Sequence, residues 1–197
     1  MLSGRHFAGG TSMEVKGTAI VATLDHVRAK YGDEGHRKVL EAISPAARQM
    51  IRGVVLPSTW YPIGPALLEP TQAVCDLFHD GDLAGAWQVG RASAESALTG
   101  IYKALLVFVS PKTVVERGPG ILTNYYRPLK ISVQQIGPSK YGLRMASMDE
   151  PSPLFDRRVA GWAERALEMA GARNIAVEIV SSAAKGAPVT EIHFVWC

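Results

Sequence analysis

The sequence lacks the features that mark several large classes of protein. It has only two cysteines in 197 residues, Cys75 and Cys197, and no Cys-x-x-Cys pair, which excludes a disulfide framework. Its formal net charge is +3, and no run of lysine and arginine forms a basic stripe for nucleic acid. No apolar run approaches the roughly 20 residues that span a bilayer. These absences predict a cytoplasmic globular protein with no nucleic-acid partner and no membrane span.

Motifs for catalysis and for phosphate binding are also missing. The sequence contains no Gly-x-Gly-x-x-Gly, no Gly-x-x-x-x-Gly-Lys and no Gly-x-Ser-x-Gly. None of its five histidines pairs with another at metal-ligand spacing. His79, Asp80 and Asp82 share one turn, but a helix cap explains Asp82 better than a metal does. We therefore predict that the chain is not an enzyme, although residues distant in sequence can still converge on a site.

Hydrophobic periodicity predicts a helical N-terminal part. Residues 1–14 are small, polar and Gly-rich, so we expect a flexible extension ahead of a single domain at residues 15–197. Helical spacing of apolar residues begins at residue 16 and stops at Gly32. Further helices are predicted after Asp33, after Ser44-Pro45, over residues 66–79, over 82–109 and after Ser110-Pro111. The small residues of the 82–109 segment indicate a central, buried helix.

After Pro128 the apolar period changes from 3.6 to 2. Residues 129–146 alternate around a Gly137-Pro138 turn, which predicts a hairpin. A helix over residues 153–170 follows, and two more strands end the chain. The predicted fold is α+β, with an N-terminal helical subdomain packed on a four-stranded antiparallel sheet of order β-β-α-β-β in the sequence.

Aromatic side chains and two arginines indicate where a ligand would bind. Apolar pockets with a few polar groups are how proteins hold small molecules. Filling of the core explains these aromatics more simply, because interiors are densely packed. Arg91 lies among small residues, where it needs an anionic partner such as Glu95 or a ligand carboxylate or phosphate. The candidate ligand-binding residues are Trp60, Tyr61, Arg91, Tyr102, Tyr126 and Arg127.

The order of several short motifs resembles a paralogous domain family of myxobacteria, of unknown function. The motifs that carry the resemblance are Lys16-Gly17-Thr18, Pro57-Ser58-x-Trp60-Tyr61-Pro62, Gly90-Arg91-x-Ser93-Ala94, Ala160-Gly161-Trp162 and Phe194-x-Trp196. That family is similar in architecture to haem-nitric-oxide sensor domains, 4-vinyl-reductase regulatory domains and Bet3-type vesicle-tethering subunits. The resemblance implies a helical part packed on an antiparallel sheet, with a ligand cavity between them.

The sequence departs from these groups at their cofactor sites. Haem sensors of this type have a Tyr-x-Ser-x-Arg motif and a histidine ligand, whereas here Pro128 follows Tyr126-Arg127. No histidine lies between Asp80 and Glu191. The 4-vinyl-reductase type often has cysteines in its C-terminal half, where this chain has only Cys197. The expected cofactors are therefore none, neither haem nor metal.

The sequence is compatible with three functions. The first is a non-catalytic sensor that holds a small, mostly apolar or acidic ligand between the central helix and the sheet, with Arg91 or Arg127 meeting any acidic group. The alternative is an interaction module that forms a homodimer or docks on a signalling partner. An unrecognised enzyme is a third reading, which would need a cleft with two perturbed titratable groups.

Overall fold

In the computed structural model of the chain, residues 12–98, 109–146 and 148–197 are described. Helix α1 (Gly17–Ala42) has a kink at Gly32, where the sequence predicted that the helix would end. Gly32 has a φ of 71°, a conformation that favours glycine. Helix α2 (Pro45–Ile51) begins at Ser44, whose hydroxyl accepts a hydrogen bond from the Ala47 amide at 3.2 Å. The first two predicted helices are thus one kinked helix.

A small three-stranded sheet closes the N-terminal end of α1. It consists of β1 (Glu14–Lys16), β2 (Trp60–Pro62) and β3 (Tyr126–Arg127), in the order β2-β1-β3. The sequence did not predict these strands, because two or three residues are too few to show a period. Met13 is buried and Glu14 begins β1, so both residues belong to the fold rather than to the expected extension.

Four more helices build the body of the domain. One π-helical turn (Gly64–Leu68) leads into α3 (Glu69–Phe78), and α4 (Ala84–Leu98) follows. The Asp82 carboxylate accepts from the Ala84 amide at 2.8 Å, as expected for a cap. Helix α5 (Pro111–Thr123) begins at Ser110, and α6 (Pro153–Met169) follows the hairpin. The predicted continuation of α4 to residue 109 lies partly outside the described residues.

The C-terminal sheet has four antiparallel strands and confirms the predicted fold. They are β4 (Lys130–Gly137), β5 (Lys140–Ala146), β6 (Ala176–Ser181) and β7 (Thr190–Val195), in the order β4-β5-β7-β6. Leu143 pairs with Val133 on one side and with Ile192 on the other, and these apolar residues face the core. Helix α6 packs against β6 and β7 through the same core. Among the described residues, no helix is long and apolar enough to cross a membrane.

Helices α4 and α6 cross in backbone contact, because each has a glycine at the crossing. A Cβ atom on Gly90 would lie 2.1 Å from the carbonyl oxygen of Arg158. A Cβ atom on Gly161 would lie 2.2 Å from the carbonyl oxygen of Trp87. Real Cβ atoms do not come this close to backbone, so the two glycines fix the separation and the register of the helix pair.

A methyl group at this crossing should push the helices apart. We expect Gly161→Ala to lower the free energy of unfolding by about 2–3 kcal/mol, the cost of overpacking a rigid contact. Gly120→Ala, at an exposed position of α5 with no atom within 4 Å, is the matched control. It should be neutral or stabilising by about 0.5–1 kcal/mol. Urea denaturation gives the free energy of unfolding of both variants. If the two substitutions change it equally, the backbone contact at Gly161 is contradicted.

Candidate functional site

A partly enclosed cavity of about 260 Å³ lies among the helices. The described residues that line it come from α1, α4, α5, α6, strand β3 and two connecting segments. They are Thr18, Ala19, Val21, Ala22, Pro57, Ser93, Ser96, Ala97, Leu122, Tyr125, Tyr126 and Trp162. Small side chains on α1 and α4 leave the space open. The polar side chains of this set carry hydroxyl or indole groups, and none of these described residues is charged.

The position of the cavity differs from the one expected from the sequence. Helix α6 lies between α4 and the four-stranded sheet, and no residue of that sheet is among the described residues lining the cavity. On the sheet side of α6 the free space is only about 20 Å³, between Trp162, Leu143 and Phe194. That volume suffices for about one water molecule. The interior is therefore filled at the sheet and open between the helices.

Arg158 lies behind the cavity wall and is buried, with 2% of its surface exposed. Its Nη1 donates to the Thr71 hydroxyl at 2.9 Å. Its Nη2 donates to the hydroxyls of Thr23 at 3.0 Å and Ser93 at 3.3 Å. The Tyr126 hydroxyl also interacts with the guanidinium. Ser93 and Tyr126 line the cavity, so two cavity side chains contact this arginine directly.

The three aliphatic hydroxyls around Arg158 are oriented by their own helices. Thr23 donates to the Ala19 carbonyl at 2.8 Å and Thr71 to the Leu67 carbonyl at 2.7 Å. Ser93 donates to the Val89 carbonyl at 3.0 Å. Because each proton is directed along the helix, each oxygen presents a lone pair to the guanidinium. One arginine of α6 thereby binds α1, α3 and α4.

No carboxylate of the chain neutralises Arg158. It forms no ion pair within the described residues, and segments 1–11, 99–108 and 147 contain no aspartate or glutamate. Asp156, the buried carboxylate nearby in α6, accepts instead from Ser182 at 2.5 Å and Thr190 at 3.0 Å. The Arg158 Nε atom has no hydrogen-bond partner. Within the described residues, the side chains that hydrogen-bond this charge are therefore hydroxyl groups.

Burial sets the protonation of the two ionisable groups at this point. It lowers the pKa of Arg158, but a guanidinium stays protonated in proteins because its ordinary pKa is above 12. Burial raises the pKa of Tyr126, an effect that the Arg158 charge partly opposes. Tyr126 is therefore a neutral phenol at neutral pH, with a proton to donate.

Arg91 is neutralised by carboxylates of this chain. It forms a bidentate pair with Glu168, at 2.9 and 2.7 Å, and also bonds Glu164. The expected partner Glu95 instead binds Arg165 at 2.7 Å. The hydrogen bonds to Glu168 and Glu164 raise the pKa of Arg91. This cluster joins α4 to α6 away from the cavity lining.

Of the other predicted residues that the structure describes, only Tyr126 lines the cavity. The Arg127 guanidinium lies 4.2 Å from the centre of the Trp60 ring and pairs with Glu14 at 2.7 Å. The Tyr61 hydroxyl accepts from the Leu56 amide at 3.0 Å. Trp60, Tyr61 and Arg127 therefore gather at the small sheet. Tyr102 lies outside the described residues.

Sequence reasoning missed Arg158, although a signal was present. The apolar face of α6 runs through Leu154, Phe155, Val159 and Trp162, and Arg158 falls on that same face by helical spacing. A charged residue on the buried face of a well-patterned helix marks an internal polar site.

The described residues offer no metal centre, since no group of three or more His, Cys, Asp or Glu side chains is arranged to hold one. His79, from the turn that resembled a metal cluster, hydrogen-bonds the Tyr31 hydroxyl at 3.0 Å. Cys75 is buried, and burial raises the pKa of its thiol, as expected for a structural cysteine.

Solved structures of H-NOX proteins share the fold of this chain. An H-NOX protein from S. oneidensis has a TM-score of 0.73 and 16% identity, over 92% of this chain and 96% of that chain. The H-NOX protein from K. algicida has a TM-score of 0.66 and 13% identity, over the same shares. A T. Tengcongensis H-NOX mutant has a TM-score of 0.65 and 12% identity, covering 92% and 97%. No family model and no curated protein matches the sequence.

A haem does not fit the residues that line this cavity. Its volume is less than twice that of the roughly 150 Å³ cavity that accommodates benzene, and a tetrapyrrole is far larger. The usual axial ligands are histidine, cysteine, methionine and, more rarely, tyrosinate. The described lining contains none of the first three, and its buried Tyr126 is held as a neutral phenol. The similarity to H-NOX proteins therefore establishes the fold and not the cofactor.

The hydroxyl shell of Arg158 can be tested by a double-mutant cycle. Thr71→Val removes one acceptor without changing shape, and we expect it to cost about 1–3 kcal/mol because a buried N–H loses its partner. In an Arg158→Met background the same substitution should cost much less. Urea denaturation of the four proteins gives the coupling free energy. A cost of Thr71→Val that is the same in both backgrounds would show that this hydroxyl does not serve the arginine.

Proposed function

We propose that this chain is a non-catalytic sensor domain that holds a small, mostly apolar ligand in the cavity between α1, α4, α5 and α6. The observation that carries the proposal is the cavity itself, a space of about 260 Å³ among small and aromatic side chains, whereas only about 20 Å³ is free on the sheet side of α6. Sites for small molecules are concave and mostly apolar, with a few polar groups that orient the ligand.

The size of the cavity limits the ligand. With a benzene-sized cavity of about 150 Å³ as the reference, it suits a molecule of one or two rings or a chain of similar volume. Hydroxyl groups at Thr18 and Ser93 would satisfy a polar end, while Leu122 and Trp162 would contact the apolar body. No arrangement of a nucleophile, a base and an orienting group occurs among the described lining residues, which supports binding rather than catalysis.

Ligand binding would act on the packing of the helices. Most of the lining residues belong to four helices, and the α4–α6 crossing beside them is in close backbone contact at Gly90 and Gly161. A ligand that contacts all four helices stabilises the arrangement in which it fits, which is how a sensor converts occupancy into a conformational signal. One H-NOX neighbour, from S. oneidensis, was solved in its Fe(II)NO ligation state, so that protein of the same fold binds a small molecule.

The cavity can be closed by single substitutions. Ala22→Phe places a ring in the space from α1, and Ala97→Phe does so from α4. We expect each to weaken binding of a neutral probe such as indole by about tenfold or more, equivalent to about 1.4 kcal/mol. Ala29→Phe, on the exposed face of α1, adds the same bulk outside the cavity and should leave binding unchanged. Isothermal titration calorimetry measures the three affinities.

Two results would contradict the cavity as the ligand site. One is that indole and related one- and two-ring probes do not bind the wild-type protein at all. The other is that they bind Ala22→Phe and Ala97→Phe as well as they bind Ala29→Phe.

Protein interaction is the second candidate function, and one loop favours it. Val54 and Leu56 are 87% and 54% exposed, which is unusual for two large apolar side chains so close together. If this loop mediates the predicted homodimer, light scattering should give a mass above one chain that rises with concentration, and Leu56→Ser should lower it. A mass of one chain at every concentration would contradict the dimer.

A further inference from the structure

We propose that the ligand of the cavity carries a carboxylate, and that the buried guanidinium of Arg158 selects it through the hydroxyls of Ser93 and Tyr126. The inference rests on the proposed ligand-binding function and adds to it the chemical class of the ligand. The sequence predicted that Arg91 or Arg127 would bind an acidic group, but carboxylates of this chain already pair with both. The proposal assigns recognition of the acid to Arg158 instead.

Arg158 lacks a counter-charge among the described residues. Taking a guanidinium out of water is costly unless an opposite charge and complete hydrogen bonding compensate it. The arginines Arg91, Arg127 and Arg165 are more exposed than Arg158, yet each pairs with at least one carboxylate. Arg158 is the most buried of the four and forms no ion pair within the described part of the chain. An anion bound nearby would supply the negative charge that the described residues do not place opposite this guanidinium.

The hydroxyls of Ser93 and Tyr126 can direct their protons into the cavity. An arginine only donates, so any hydroxyl that accepts from it must direct its own proton elsewhere. No described group accepts the proton of the Tyr126 hydroxyl, and Tyr126 lines the cavity. Ser93 now donates to the Val89 carbonyl and can turn its proton toward the cavity while still accepting from Arg158. Two donors that both interact with Arg158 can thus reach the cavity.

Two neighbouring donors next to a positive charge match the two oxygens of a carboxylate. Hydrogen bonds to an ionised acceptor are about twice as strong as those between neutral groups. The rest of the lining is uncharged and largely apolar, so the acid would carry an apolar body such as a ring or a short chain. The low dielectric of the buried site strengthens the attraction between the guanidinium and the acid, even through an intervening hydroxyl.

The test compares acids with amides of the same shape. Benzoate and benzamide, together with hexanoate and hexanamide, are titrated calorimetrically into the wild-type protein at pH 7 in a buffer of low chloride. We expect each acid to bind about tenfold or more tightly than its amide. Arg158→Met should remove this preference while the amides still bind, because the methionine fills the space and carries no charge.

Two further variants make the test independent of the folding of Arg158→Met. Tyr126→Phe and Ser93→Ala each delete one donor and should reduce the acid-to-amide preference without abolishing amide binding. Arg91→Met, which removes an arginine outside the cavity, is the control and should leave the preference unchanged.

The outcomes separate the two proposals. If the amides bind as tightly as the acids, the carboxylate inference is wrong and the apolar ligand site stands. If neither acids nor amides bind, and indole does not bind either, the proposed function itself is wrong. A preference for acids that persists in Tyr126→Phe and Ser93→Ala but is lost in Arg91→Met would place acid recognition at the α4–α6 ion-pair cluster and overturn the assignment to Arg158.

Discussion

The hydrogen bonds of one buried guanidinium tie the helical half of this protein together. Arg158 reaches from α6 to Thr23 of α1, Thr71 of α3 and Ser93 of α4, and it meets a neutral hydroxyl in each case. Buried polar groups of this kind are stable only when their partners are in place, so the four helices must assemble with the correct register.

Close approach of the helices makes this arrangement possible. Gly90 lies directly against the backbone of Arg158, so α4 comes near enough for Ser93, one turn further along, to accept from the guanidinium. Small residues of α4 permit close contact at the crossing with α6, and small residues of α4 and α1 leave the cavity open beside it. The polar network and the cavity therefore share one cause, and Ser93 and Tyr126 belong to both.

Strong periodic patterns predicted most of the fold, and contacts over long sequence distances account for what they missed. The alternation of residues 129–146 and the stripe of α6 predicted the hairpin and the last helix, since each repeats over many residues. The strands of the small sheet are too short to show a period. Partners of Arg91 lie more than 70 residues away in sequence, so Glu95 was a reasonable but wrong choice. Of the candidate site, the sequence identified Tyr126. The role of Arg158 could not be predicted, because its hydrogen-bond partners lie on three other helices that are distant in sequence.

The most direct test of this account is a crystal structure of the protein with 4-bromobenzoate, in which anomalous scattering locates the bromine. The account predicts a bromine peak inside the cavity bounded by Ala22, Ala97 and Trp162, with the carboxylate oxygens about 2.5–3.0 Å from the hydroxyls of Ser93 and Tyr126. A bromine peak outside the cavity, or a carboxylate turned away from these two hydroxyls toward solvent, would contradict it.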